Sequence, residues 1–142
     1  EVTRIAMHPG SVQGFGQLGP EGVPTFLLPA NPVSALVVFE VMVRPLIRLS
    51  LGKRQPMRRM VRARTIKPIT SVVDRTGYFR GQLLRDQDTG DYLVEVIGDT
   101  PGGSSHLLAS LAEANCLVVV PGEVTDVPAG DFVDVAFLSQ RG

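Results

Sequence analysis

The spacing of apolar positions changes character several times along this chain of 142 residues. Val2 to Met7 and Thr25 to Leu28 are short and apolar, and each reads as a buried strand. Between them, Pro9 to Gly22 is rich in glycine and reads as a hairpin or loop. From Pro32 to about Leu51 the period lengthens to that of a helix, with Ala35, Phe39, Met42, Leu46 and Leu49 on one stripe. Leu36, Val43 and Ile47 widen that stripe, so the helix is expected to have little solvent contact. Asn31 suits the N-cap, and Pro32 the first helical position, where its missing N–H costs nothing. Pro45 should kink or end the first section, and Gly52 supplies a stop. A strand, a turn and a helix of this kind belong to the edge of an α/β unit.

After a polar linker from Gly52 to Arg59, the pattern becomes β-rich. Val61, Ala63 and Thr65 alternate with Arg62, Arg64 and Ile66, as in a half-buried strand. Tyr78 to Leu84 and Tyr92 to Ile97 flank Asp86-Gln87-Asp88-Thr89-Gly90-Asp91, a hairpin signal. Ser104 or Ser105 would cap a short helix through Ala114, with Asn115 ending it in the left-handed conformation. Cys116 to Val120 reads as a buried strand and Phe132 to Leu138 as the last one. Short strands with one short helix suggest a small barrel or a sandwich. The expected organisation is therefore an α/β segment over residues 1–52, a linker over 53–59, and a β-barrel-like domain over 60–142.

Composition removes several classes of function. Lys plus Arg and Asp plus Glu balance at 14 each, and the arginines near Arg54 to Arg64 read as a solvated linker, so no nucleic-acid partner is expected. Glu40, Arg44 and Arg48 interrupt the long apolar segment, so no membrane span is expected. One cysteine, Cys116, supports no disulfide framework and fits a reducing compartment. Asp86, Asp88 and Gly90 lack the remaining ligands of a calcium loop, and no His/Cys cluster suggests a metal. The chain opens on Glu1 and passes straight into a strand, as the C-terminal part of a longer polypeptide would.

Candidate chemistry concentrates in Pro29-Ala30-Asn31-Pro32-Val33-Ser34-Ala35. Here a strand should meet a helix N-terminus with free N–H groups and a favourable dipole, which suits an anion beside the Ser34 hydroxyl. The segment closely resembles the Leu-Pro-Gly-Asn-Pro-Val-Ser-Ala signature of the molybdopterin molybdenumtransferases, the family of bacterial MoeA and the C-terminal domain of gephyrin. Met7-His8-Pro9-Gly10, followed by Gly14-Phe15-Gly16, is similar to that family's Met-Lys-Pro-Gly-Lys-Pro element. Ser105, Leu107-Leu108, Ala114-Asn115, Val118-Val119-Val120-Pro121 and Ala129-Gly130-Asp131 are similar, in order, to its C-terminal domain.

The resemblance implies the end of an α/β molybdenum-cofactor domain followed by a β-barrel-like domain. It implies that the whole protein inserts molybdate into adenylylated molybdopterin and releases AMP, with magnesium present. It further implies a cytoplasmic homodimer and a molybdopterin adenylyltransferase as a partner. The pocket residues it implies are His8, Gly10, Ser11, Pro29, Asn31, Pro32, Ser34 and Ser105. Ser105 would lie near a cleft facing the α/β domain of a partner subunit. Phe79-Arg80 loosely matches a further element, although Arg80 could equally be a surface residue. The acidic residues for magnesium are expected upstream of Glu1, so this segment is not expected to be catalytic alone. Relatives often carry lysines at the positions of His8 and Ser11, and a second glycine where this chain has Ala30. Those departures keep open a non-catalytic binding or scaffolding module of the gephyrin kind.

Overall fold

In a computed structural model, which describes residues 2–97 and 114–138, the glycine-rich stretch near the start is a hairpin. Its strands are β3 (Val12–Leu18) and β4 (Val23–Leu27), with β1 (Val2–Arg4) paired antiparallel on the other side of β3. A short strand, β2 (Met7–His8), precedes the hairpin. Phe15 lies opposite Phe26 across β3 and β4, with ring centroids 5.1 Å apart. These strands are not buried as expected: Val2 is 67% and Leu27 59% exposed. A single helix can cover only one face of a sheet, and the other face keeps its apolar side chains in solvent.

That helix runs from Pro32 to Ser50 in three sections: α1 (Pro32–Val38), a π turn (Phe39–Val43) and α2 (Arg44–Ser50). Pro45 neither ends nor breaks it. The Arg44 N–H bonds to the Phe39 carbonyl, five residues back, and Pro45 is buried just beyond. Widening the ladder by one residue makes room for a ring that an α turn would press against a carbonyl. The helix is also wetter than its apolar stripe suggests. Val37 and Val38 are buried, whereas Leu46, Ile47 and Leu49 are about half exposed. Met42 and Leu46 face Ile5, Phe15, Phe26 and Gln13 across an open cavity of about 250 Å³.

The chain divides into two compact units, Glu1–Met57 and Arg58–Gly142. The second contains β5 (Met60–Thr65), β6 (Ile69–Thr70), β7 (Thr76–Arg85), β8 (Tyr92–Val96), β9 (Cys116–Val120), β10 (Asp126–Val127) and β11 (Phe132–Phe137). β7 pairs with β8, β8 with β5, β5 with β11, β11 with β9, and β9 returns to β7. The β9–β7 pairing closes the ring, so the unit is a five-stranded barrel and not a sandwich. All these pairings are antiparallel except β5 with β8. Its interior is filled by Ala63, Val94, Cys116, Val118, Val120 and Val135, all 0% exposed. Small and β-branched side chains suit so narrow a lumen. Gly81 on β7 also serves it, since a Cβ there would stand 3.1 Å from both Cys116 Sγ and Val94 Cγ2. β6 and β10, two residues each, pair antiparallel and were too short for periodicity to reveal.

Asn115 corrects another expectation. Among the described residues only Asp74 is a non-glycine with positive φ, so Asn115 is no left-handed helix cap. It extends the β7–β9 ladder instead: its N–H bonds the Gly81 carbonyl at 3.1 Å. Its side chain accepts from the Leu83 N–H at 2.7 Å and donates to the Leu83 carbonyl at 3.3 Å. An asparagine amide carries the same donor and acceptor as a peptide group, and here it stands in for one more strand residue. The short helix expected before it, from Ser104 or Ser105, lies outside the described residues.

Candidate functional site

Two turns far apart in sequence meet in the first unit. The first is Met7-His8-Pro9-Gly10-Ser11, where β2 ends and β3 begins; its His8–Pro9 peptide bond is cis. Gly10 has φ +93°, a conformation that L side chains rarely adopt. Its backbone lies directly on α1, because a Cβ at Gly10 would come within 2.6 Å of Val38 Cγ2 and 3.7 Å of the Ser34 carbonyl oxygen. Glycine is therefore required twice here, for the φ angle and for the close approach. His8 is exposed, and Ser11 and Gly10 are half-buried.

The second turn is Pro29 to Ser34. Asn31 caps α1 as expected: its Oδ1 accepts from the Val33 N–H at 2.9 Å and the Ser34 N–H at 3.2 Å. The Ala35 N–H bonds the Asn31 carbonyl at 2.9 Å. This overturns the expectation of free N–H groups at the helix end. Pro32 has no donor, and the next two are held by Asn31. An anion at this turn would meet side-chain donors, Asn31 Nδ2 and Ser34 Oγ, supplemented by the dipole. Asn31 and Pro32 are exposed and Pro29 and Ser34 half-buried, so the turn is open to a ligand. Ala30 is not in the positive-φ region, so its methyl imposes no backbone strain.

Of the candidate residues, the fold thus brings Gly10 against Ser34, with His8 and Ser11 flanking the one and Asn31 and Pro32 the other. Ser105 lies outside the described residues. Arg80 is no surface residue: it is 6% exposed on β7, opposite Leu117 of β9. Burial pushes the Cys116 thiol up to about 12, which keeps it protonated and chemically quiet. Among the described residues no three His, Cys, Asp or Glu side chains converge as metal ligands. They do not form a site for the magnesium that the resemblance implies. No helix among them is long and apolar enough to cross a membrane.

Sequence reasoning passed over Gln13. It is 6% exposed on β3, and its Nε2 donates to the Gly10 carbonyl at 3.0 Å and to Met7 Sδ at 3.0 Å. The only hint in the sequence is a polar residue between Val12 and the Gly14-Phe15-Gly16 run.

Comparison with known proteins identifies the family of the chain. Residues 62–138 match the family described as the MoeA C-terminal region (domain IV). The chain is 75% identical over its whole length to Molybdopterin molybdenumtransferase 1 of Mycobacterium tuberculosis, of which it covers 33%. It is 32% identical to the molybdopterin molybdenumtransferase of Haemophilus influenzae, with 93% of this chain and 31% of that protein covered. The crystal structure of a molybdopterin biosynthesis MoeA protein from Pyrococcus horikosii superposes with a TM-score of 0.77 at 28% identity, covering 99% of this chain and 33% of that one. The chain spans about a third of the length of the curated relatives it matches.

Proposed function

This chain belongs to the MoeA C-terminal region family, and on that footing we propose that it contributes one wall of the substrate pocket of a molybdopterin molybdenumtransferase. In this reading the protein that carries it inserts molybdenum from molybdate into adenylylated molybdopterin and releases AMP, in molybdenum cofactor biosynthesis. The observation that carries the reading is the seating of Gly10 on α1 beside Ser34, which joins the two motif turns into one open surface.

The chemistry asked of that surface is modest. Adenylylated molybdopterin and molybdate are both anionic, so the wall must hold oxyanions and orient them. Asn31 does this with its Nδ2, because its Oδ1 is already committed to the helix. Ser34 adds a hydroxyl from the first turn of α1, and His8 adds a ring N–H from the facing turn. Charge-assisted hydrogen bonds of this type contribute about 1.5–3 kcal/mol each. The dipole of the Pro32–Ser50 helix favours the same sign of ligand. Magnesium, the facing wall of the pocket, cytoplasmic location, a homodimer and, separately, a molybdopterin adenylyltransferase partner belong to the same proposal.

Two substitutions separate the cap from the pocket. Asn31→Ala should lose about 1 kcal/mol of stability, because both capping bonds go. Asn31→Asp keeps an equally good cap, and its charge favours the helix N-terminus. It removes the Nδ2 donor, however, and sets a carboxylate against an anion. In the full-length protein, calorimetry should then find Asn31→Asp as stable as wild type, yet about tenfold or more weaker for adenylylated molybdopterin. Wild-type affinity in Asn31→Asp would remove this turn from the pocket.

A further inference from the structure

We propose that Gln13 is the positioning residue of this pocket wall, holding the Met7–Ser11 turn in the one arrangement that presents His8 and Ser11 beside α1. The inference rests on the pocket reading above and extends it to a residue that no motif marks.

Gln13 is one of few polar side chains buried among the described residues, and it lies at the edge of the apolar cavity between sheet and helix. Burial of an amide in such surroundings is unfavourable unless its donors are used. Both contacts of its Nε2 run back to the turn three and six residues earlier, to the Gly10 carbonyl and the Met7 thioether. The turn has further ties, the Ile5 N–H to the Ser11 carbonyl at 2.7 Å and the Met7 N–H to the Ile5 carbonyl at 2.7 Å. The first closes its neck, and the second is a local turn on the chain leading into it. Gln13 alone among these contacts grips its tip, at the glycine that touches α1. An apolar residue at this position would suit the apolar cavity that Phe15 and Met42 also line but would leave the Gly10 carbonyl without this donor. Low polarity around the amide strengthens the bond and penalises its loss. Gln13 touches no ligand in this scheme; it acts through Gly10.

The test uses the full-length protein and adenylylated molybdopterin as the titrant, with thermal unfolding recorded on every variant. Gln13→Leu removes the donor at similar volume. Gln13→Glu is an isostere whose carboxyl donates a hydrogen bond only when protonated, and its buried position favours that neutral form. Val94→Ala, in the barrel interior, serves as a variant that lowers the stability of the second unit. We expect Gln13→Leu to bind about tenfold more weakly at all pH values. Gln13→Glu should be equally weak at about pH 8 and return towards wild type, measured at the same pH, as the solution is acidified. Val94→Ala should lose stability and keep its affinity. Wild-type affinity in both Gln13 variants, with Asn31→Asp impaired, would overturn the positioning role and leave the pocket standing. A loss in Gln13→Glu that ignores pH, or an equal loss in Val94→Ala, would reduce Gln13 to general stability and also overturn it. If Asn31→Asp and both Gln13 variants all bind as wild type, the turns are not in the pocket and both readings fall together.

Discussion

Gly10 and Ala30 show how one methyl group can be decisive at one turn and indifferent at the next. Both are positions where a glycine is expected from the family signature, and only Gly10 has a backbone that demands one. Gly10→Ala would place a Cβ at positive φ and 2.6 Å from Val38 Cγ2. The backbone term alone costs about 1–2 kcal/mol, and the contact must be relieved by lifting the turn from α1. Ala30 lies outside the positive-φ region, so Ala30→Gly relieves nothing and frees the unfolded chain, a loss of about 0.4–1 kcal/mol. Urea unfolding of the two variants should rank them in that order. A stabilised Ala30→Gly protein would mean that the loop prefers a glycine conformation after all. Gln13 belongs at this scale too, since its role rests on a single amide donor set on the Gly10 carbonyl.

At the level of elements, the turn between β7 and β8 is held by one carboxylate. Asp86 Oδ1 accepts from the Asp88 N–H at 2.9 Å and the Thr89 N–H at 3.4 Å, and these bonds hold its pKa below the usual carboxylate value. A carboxyl with a depressed folded pKa contributes stability above its unfolded pKa and loses it as pH falls through the folded value. Acidification from about pH 6 to about pH 2 should therefore speed amide exchange at Asp88 and Thr89, and Asp86→Ala should show that faster exchange at every pH. Because Asp86 sits at the tip of an exposed turn and is itself only partly buried, the effect should stay within the hairpin. Protection at these two amides that ignores both pH and Asp86→Ala would show that the backbone alone, through the Asp86 to Asp91 pair, sustains the turn. The helix makes a comparable point, as its π turn absorbs Pro45 without ending the element.

For the molecule as a whole, the closed ring of β5, β7, β8, β9 and β11 leaves none of these strands with an unpaired edge along the ring. Residues 58–142 should consequently fold when produced alone. Cys116 gives a direct readout, being 0% exposed with its thiol pushed up to about 12 by burial. At about pH 8, iodoacetamide should label it only as fast as the barrel opens, and in one cooperative step on addition of denaturant. Immediate labelling of the isolated segment would show that the ring does not close without residues 1–57. The first unit is different in kind, with Leu46, Ile47 and Leu49 about half exposed on α2 and Val2 and Leu27 exposed on the sheet.

Local rules determined much of this protein from sequence. The Asn31 cap with Pro32 behind it, the Asp86–Asp91 turn between two alternating strands, and the buried run Cys116–Val120 depend on residues within a few positions of one another. The same locality made the family signature legible, because a short motif carries its chemistry in consecutive residues. What the tertiary structure decided depends on partners distant along the chain. The β9–β7 pairing chose a barrel over a sandwich, and Asn115 became a strand extension because Leu83 lay across from it. The helix end that looked free for an anion was already saturated by its own cap, which only the hydrogen-bond geometry could settle. The meeting of Gly10 with Ser34 and Val38, and the buried grip of Gln13 on that turn, likewise follow from packing of the Met7–Ser11 turn against α1. Periodicity tells which face of an element is apolar; which partner covers it, and which polar atom must follow it inside, is fixed by the packed structure.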